Sequence, residues 1–391
     1  MPGLRPAVVL GPGLGFAEHE PLRLDRGRWP GDAPKFRHGG QPAFPSPTAR
    51  PRRLGNRGER LNPQGGCATH RSGLQLPGGV GAHGGRVSLL WRCVVRRSVL
   101  VTGATSGVGL GVALRLAGAG FDVFATARDE PKAEKLRAVA AECAVGLRTV
   151  LLDVADADSC RRACAEVAEA TGGGPWALVN NAGVPLVGAV EDLEDAAVRQ
   201  LLEVNVVGAA RMARLVLPGM RERGEGRIVN VSSLAGRIAA PGMGWYCAGK
   251  AALGALNDAL RMEAGPGGVR VAVVEAGAYA SAIQGRAADG LAALAGRPTL
   301  FGDMYRVAEA ALRESGTRLP SAEPVVSAVC RALIARRPRH RYVVGRQAKA
   351  GLLADALVPV RVKDHFKRAA MGAPGAHPAV EYAARRWCTP W

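Results

Sequence analysis

Tyr246 and Lys250 stand four residues apart in Tyr246-Cys247-Ala248-Gly249-Lys250. On a helix that offset puts both side chains on one face. A free phenol has a pKa of about 10, too high for an efficient base at neutral pH. A neighbouring ammonium favours the phenolate, so Lys250 is expected to lower the pKa of Tyr246. Ser233 closes the pair Ser232-Ser233 thirteen residues before Tyr246. Its hydroxyl could donate to an oxygen that gains charge during reaction. The three residue types suit proton exchange with an alcohol or carbonyl oxygen. The plain alternative is a helix with one buried Tyr and one solvated Lys, because a lone Tyr-x-x-x-Lys arises often by chance.

A second pattern argues against chance. The run Thr102-Gly103-Ala104-Thr105-Ser106-Gly107-Val108-Gly109 follows an apolar strand and opens a helix. Gly103 permits a tight turn, Gly107 lets backbone approach a pyrophosphate, and Gly109 lets the helix pack closely on the strand. The free N–H groups and positive helix end then face the phosphates, with Thr105, Ser106 and Val108 beside them. An ordinary strand-to-helix turn would show the glycines without the chemistry that follows. The next strand ends in Ala125-Thr126-Ala127-Arg128. An acid at that end would bind a ribose 2′-OH and repel a 2′-phosphate. The first acid is Asp129, and Arg128 can pair with a phosphate in a fork. NADP(H) is therefore the expected cofactor, with NAD(H) less favoured, and Ser106 could add a hydroxyl donor.

These residues need a scaffold, and the chain from Ser98 onward supplies its pattern. Short β-branched runs alternate with Ala/Leu-rich helical stretches. The strands are expected at Val99–Thr102, Phe121–Ala127, Leu147–Asp153, Ala177–Asn180, Arg227–Val231, Val269–Glu275 and Arg341–Val344. Helices are expected at Gly107–Ala119, Pro131–Ala141, Ser159–Ala170, Asp195–Arg223, Tyr246–Glu263, Glu323–Arg336 and Gln347–Ala370. Near-continuously apolar strands separated by helices imply a parallel sheet covered on both faces. Right-handed crossovers make it an α/β, doubly wound, seven-stranded Rossmann sheet. Such sheets place ligands at the carboxyl ends of their strands, where Asn180-Asn181-Ala182-Gly183, Ser233 and Tyr246 fall. Residues 281–320 look helical with Gly and Pro breaks, and the segment of about residues 278–320 is the expected substrate lid. They carry Tyr279, Phe301 and Tyr305, which together with Met243 and Trp245 suit an apolar, mid-sized alcohol or ketone.

At these residues the chain resembles the short-chain dehydrogenase/reductase family, over about residues 97–285. The resemblance assigns the glycine turn to Thr102–Gly109 and a catalytic tetrad to Asn205, Ser233, Tyr246 and Lys250. It implies that Asn205 helps hold a water linking Lys250 to solvent. It implies that Asp153 contacts adenine with Val154 beside it, and that backbone at Asn181 and Gly183 passes the cofactor. Tyr246 and Lys250 would also meet the nicotinamide end, Lys250 at the ribose. The family's Pro-Gly after the sixth strand is Ala276-Gly277 here, and its following Thr is Ser281. This departure touches the nicotinamide contact alone. Within the family the chain is similar to the branch holding type 1 17β-hydroxysteroid dehydrogenase and photoreceptor retinol dehydrogenase. Ala125-Thr126-Ala127-Arg128-Asp129, Asn205-Val206-Val207-Gly208 and Val274-Glu275-Ala276-Gly277 carry that likeness. Beyond Gly277 it is more similar to bacterial reductases of unassigned substrate. The resemblance also implies a homodimer or tetramer, pairing helices that carry Leu201, Leu202, Val206, Leu253, Leu256 and Leu260.

Composition bounds the rest. The chain has 391 residues and a formal net charge of +19. Residues 1–97 hold 16 Lys and Arg against 5 Asp and Glu, so over half of the excess sits in the first quarter. Residues 1–96 are rich in Gly, Pro and Arg without helical or strand periodicity, and are expected to be disordered. A targeting peptide or a misassigned start are alternatives, and nucleic-acid binding lacks a recognition module. Residues 371–391 read as tail. Eight cysteines form no CxxC pair, and no His or Cys cluster suggests a metal. With no signal peptide and no long apolar run, a soluble cytoplasmic protein without a membrane span is the default. A cofactor-binding sensor or scaffold without turnover is the competing function. It would be signalled by loss of Tyr246 or Lys250, and both are present.

Overall fold

The computed structural model describes residues 97–372, except Ser281 and the side chains at 282 and 315–318. The expectations for residues 1–96, for Ser281 and for most of the tail lie outside the described residues. The seven strands are β1 (Ser98–Val101), β2 (Asp122–Ala127), β3 (Arg148–Leu151), β4 (Ala177–Asn180), β5 (Gly226–Ser233), β6 (Val269–Ala276) and β7 (Arg341–Val344). They form one parallel sheet in the order β3-β2-β1-β4-β5-β6-β7. The chain winds outward from β1 in one direction and from β4 in the other. The switch point therefore lies between them, where doubly wound sheets bind ligands.

The helices are α1 (Gly107–Gly118), α2 (Glu130–Glu142), α3 (Ala157–Thr171), α4 (Asp195–Leu202), α5 (Gly208–Glu222), α6 (Gly244–Ala264), α7 (Ala282–Ala295), α8 (Gly302–Arg318), α9 (Glu323–Ile334), α10 (Arg346–Leu357) and α11 (Val360–Ala370). Period-two alternation along the central strands builds a core on each face of the sheet. Val99 and Val101 of β1 pack with α1 and α9 residues such as Val112, Leu116 and Val329. Leu100, between them, packs on the other face with Val167 of α3 and Met212 and Val216 of α5. A third, smaller cluster ties α7 and α8 together through Leu291, Leu294, Met304 and Tyr305.

Two boundaries differ from the sequence pattern for physical reasons. The helix expected over Asp195–Arg223 is interrupted by a π turn at Glu203–Val207, with Asn205 at its centre. Hydrophobic periodicity does not mark such a turn, and π turns gather at functional sites. The expected helix Gln347–Ala370 is two helices, because Pro359 cannot continue α10 and instead starts α11. The apolar residues expected to pair between subunits divide. Leu201 and Leu253 are buried within this chain, whereas Leu256 is exposed, as is Val207 nearby.

Candidate active site

Strand ends set the site. At the end of β1 the chain turns at Gly103, whose φ of +64° suits glycine, and enters α1 through Gly107 at +57°. A Cβ at Gly103 would lie 2.8 Å from Cα of Ala182, so no side chain fits there. Gly109 does not itself line the cleft, and a Cβ on it would stand 2.3 Å from the Gly103 carbonyl oxygen. It acts as the sequence suggests, by letting α1 sit tight on the turn. Ser106 is the N-cap of α1 but its side chain caps no N–H. The first N–H groups of α1 thus lack a side-chain acceptor and open beside Thr105, Ser106, Gly107 and Val108, which line the cleft.

The turn is braced by groups whose part was not evident from the sequence. The Thr102 hydroxyl accepts from the backbone N–H of Asn181 and Ala182, both at 3.0 Å. The Asn181 amide donates to the carbonyls of Thr102 (3.0 Å) and Gly103 (2.9 Å). The Gly103 N–H donates to the Thr126 hydroxyl at 3.1 Å. Asn181 lines the cleft as well, so one side chain both clamps the turn and forms the wall.

At the end of β2, Arg128 and Lys132 line the cleft. Asp129 is engaged elsewhere. Its carboxylate caps α2 by accepting from the Lys132 N–H at 3.0 Å, and it pairs with the Lys132 ammonium. Those Lys132 bonds hold the Asp129 carboxyl below its ordinary range. The first acid after β2 is therefore a helix cap rather than a free acceptor. Asp153 and Val154 follow β3 and line the same cleft. Asp153 accepts from the Ala155 N–H at 2.9 Å.

The far end of the cleft holds Ser233, Tyr246 and Lys250, with Gly183, Val184 and Gly277 around them. Ser233 ends β5, and its hydroxyl accepts from the Ala235 N–H at 3.2 Å, fixing the turn that leads toward α6. Tyr246 and Ser233 line the same end of the cleft, and the Ser233 hydroxyl favours the phenolate of Tyr246. Burial pushes the Tyr246 phenol up to about 12, partly offset by Ser233. This corrects the expectation that Lys250 lowers it. The Lys250 ammonium is 5.8 Å from the centroid of the Tyr246 ring and does not outweigh desolvation. Lys250 is itself buried, its pKa lowered to about 8 by desolvation, and Nζ donates to the Val231 carbonyl at 3.3 Å.

Asn205 does not reach the cleft wall. The π turn aims its amide at Val184, whose N–H donates to Oδ1 (2.8 Å) and whose carbonyl accepts from Nδ2 (2.9 Å). A Cβ at Gly183 would lie 3.2 Å from Asn205 Oδ1 and 3.8 Å from Lys250 Nζ, so both groups border the space beside Gly183. From the segment after β6, Tyr279, Ala280, Ile283 and Arg286 add to the lining.

A single cleft at the switch point, cationic at one end and carrying Ser, Tyr and Lys at the other, defines a Rossmann domain of the dinucleotide-binding class. The chain belongs to the short-chain dehydrogenase family, whose model matches residues 97–291. It is 35% identical over 272 residues to the uncharacterized oxidoreductase YbbO of Escherichia coli, covering 69% of this chain and 94% of that one. It is 40% identical over 190 residues to human 17-beta-hydroxysteroid dehydrogenase type 1, covering 47% of this chain and 57% of that protein. Among solved structures it is similar to a short-chain dehydrogenase from Sphingobium yanoikuyae in complex with NADPH. That likeness has a TM-score of 0.52 at 25% identity and covers 66% of this chain and 93% of that one. Among the described residues no helix is long and apolar enough to cross a membrane.

Proposed function

We propose that the protein is an NADP(H)-dependent reductase or dehydrogenase acting on the carbonyl or secondary alcohol of an apolar, mid-sized substrate. The observation that carries this reading is the continuity of one cleft from Arg128 and Lys132 to Ser233, Tyr246 and Lys250. The cationic end suits a 2′-phosphate, which a guanidinium can grip in a fork. With Asp129 held as a cap, no carboxylate competes for that position. The uncapped start of α1 suits the pyrophosphate. The NADPH complex of the Sphingobium relative agrees with this assignment. When bound, the dinucleotide supplies or accepts the hydride.

The chain's own groups handle the proton. In the reducing direction a substrate oxygen gains negative charge and must be protonated. Tyr246, neutral because its phenol is pushed up to about 12, is the acid. Ser233 donates to the same oxygen as charge develops, and that bond strengthens toward the transition state. Lys250 becomes the compensating charge once Tyr246 is a phenolate, because its burial makes the interaction strong. Asn205 holds Val184 and borders the gap beside Gly183, a position suited to a water that returns a proton to Lys250. In the oxidising direction the same groups run in reverse. Ile283, Ala280 and Val184 line the reacting end and favour an apolar substrate.

The test is consumption of NADPH, followed by absorbance, across a series of ketones of rising size, with NADP and secondary alcohols for the reverse direction. Turnover on at least one apolar ketone is expected. Tight NADPH binding without turnover on any of them would favour the sensor or scaffold reading instead.

A further inference from the structure

The segment between β4 and α4, residues 181–194, starts in the cleft and leaves it along the substrate side. Backbone ties hold it at three points. Asn205 binds both polar groups of Val184. The Gly188 N–H donates to the Gly242 carbonyl at 2.7 Å. The Ala189 N–H donates to the Tyr305 hydroxyl at 2.9 Å.

The third tie belongs to the lid. Tyr305 comes from α8, has no exposed surface, and is the largest fully buried side chain among the described residues. Its hydroxyl accepts from Ala189 and donates to Asp192 Oδ2. The same carboxylate oxygen accepts from the Thr299 hydroxyl at 2.6 Å, which lies in the link between α7 and α8. Burial, with Asp192 as acceptor, pushes the Tyr305 phenol up to about 12, so it stays protonated and keeps donating. One phenol and one carboxylate thus join the lid to both ends of the turn Ala189–Asp192.

The clasp also abuts the turn that presents Tyr246. A Cβ at Gly244 would stand 2.8 Å from Val190 Cγ2, and one at Gly242 would stand 3.3 Å from Met304 Cε. Met304 adjoins Tyr305, Val190 lies inside the clasped turn, and Gly244 is two residues before Tyr246. Lid, wall and catalytic turn are therefore in direct contact.

We propose that Tyr305 and Asp192 are positioning residues that hold the 184–192 wall in register with Tyr246 and so set how tightly the carbonyl substrate is held. They touch neither substrate nor cofactor. None of the groups in the clasp lines the cofactor cleft. The proposal rests on the reductase reading above.

The experiment compares Tyr305→Phe, Asp192→Asn, Asp192→Ala and the Tyr305→Phe/Asp192→Ala double variant, with cyclohexanone, acetophenone and a steroid ketone as probes. Tyr305→Phe keeps the ring and removes only the hydroxyl. It should raise the KM of the largest accepted ketone by about 10-fold, the equivalent of about 1.4 kcal/mol. The Kd for NADPH, from titration calorimetry, should stay within about 2-fold of wild type on the same scale. Asp192→Asn retains an acceptor oxygen and should stay near wild type, whereas Asp192→Ala should match Tyr305→Phe. The double variant should be no worse than either single one, because the residues act as one unit. A fall in thermal stability with KM unchanged would overturn the proposal, as would equal losses in KM and cofactor Kd. If the wild type reduces no ketone, the reductase reading fails, and hydrogen exchange then decides the clasp. Faster exchange at Gly188 and Ala189 in Tyr305→Phe, with α1 unchanged, supports it; unchanged exchange there overturns it.

Discussion

Replacing Lys250 by Met should make the cofactor-free protein more stable while abolishing turnover. Burial lowers the Lys250 pKa from 10.5 to about 8, and desolvation is the cause. Folding with this ammonium charged at pH 7 therefore costs about 3 kcal/mol relative to leaving it in water, at 1.36 kcal/mol per pKa unit. Met fills similar space without a charge and forfeits the bond to Val231, worth about 1 kcal/mol. The net gain should be about 2 kcal/mol, or a rise in Tm of about 4–8 °C for a domain of this size. The pH dependence carries the signature. Between about pH 8 and 10.5 the unfolded chain binds the Lys250 proton and the folded chain does not. Wild-type stability therefore gains from this group as pH rises through that window. The advantage of Lys250→Met should be full below pH 8 and shrink to a small difference by pH 10.5. Denaturant unfolding of both proteins at pH 7, 9 and 10.5, without cofactor, measures it. A variant less stable than wild type at pH 7, or an advantage that does not change with pH, would refute the reasoning.

Three further outcomes follow from the site. Ala127→Asp should reverse the preference for NADPH over NADH by more than about 10-fold in Kd ratio, because a carboxylate beside Arg128 repels a 2′-phosphate and accepts from a 2′-OH; calorimetric titration of both cofactors checks it. Gly109→Ala drives a Cβ to 2.3 Å from the Gly103 carbonyl oxygen and should cost at least about 2 kcal/mol in denaturant unfolding, with NADPH affinity lost as the turn shifts. Asn205→Ala leaves the N–H and carbonyl of Val184 without their partner and should destabilise by about 2–4 kcal/mol in the same assay.

The scaffold was legible because its signals are local. Short apolar strands punctuated by helices specify a parallel sheet, and a glycine turn between strand and helix needs only a few neighbouring residues to be recognised. The meeting of Ser233, Tyr246 and Lys250 in one cleft was legible because residue type and spacing mark them. What escaped was whatever depends on contacts across the sheet. The π turn that aims Asn205 at Val184 leaves no trace in hydrophobic periodicity. The buried chain of amides from Asn180 to Asn230 (2.9 Å) and Asn257 (3.0 Å) joins residues far apart in sequence. So does the ion-pair group in which Arg341 bridges Glu275 and Asp258. The direction of the Tyr246 shift was misjudged for the same reason. Four-residue spacing shows that an ammonium is near, but not the degree of burial that opposes it. Likewise, sequence places Asp129 just past the strand end, but only the structure shows its carboxylate taken up as the cap of α2.

The most direct test of the account is a single-turnover comparison of wild type and Tyr246→Phe on a ketone that the wild type reduces. The enzymes are loaded with NADPH, and loss of its absorbance is followed at saturating ketone. Phe preserves the ring and the packing of α6 but has no proton to give. NADPH affinity should remain within about 2-fold, while the rate constant should fall by at least about 10²-fold, the contribution of a positioned acid. Near-normal reduction by Tyr246→Phe would contradict the account, because the proton would then come from another group.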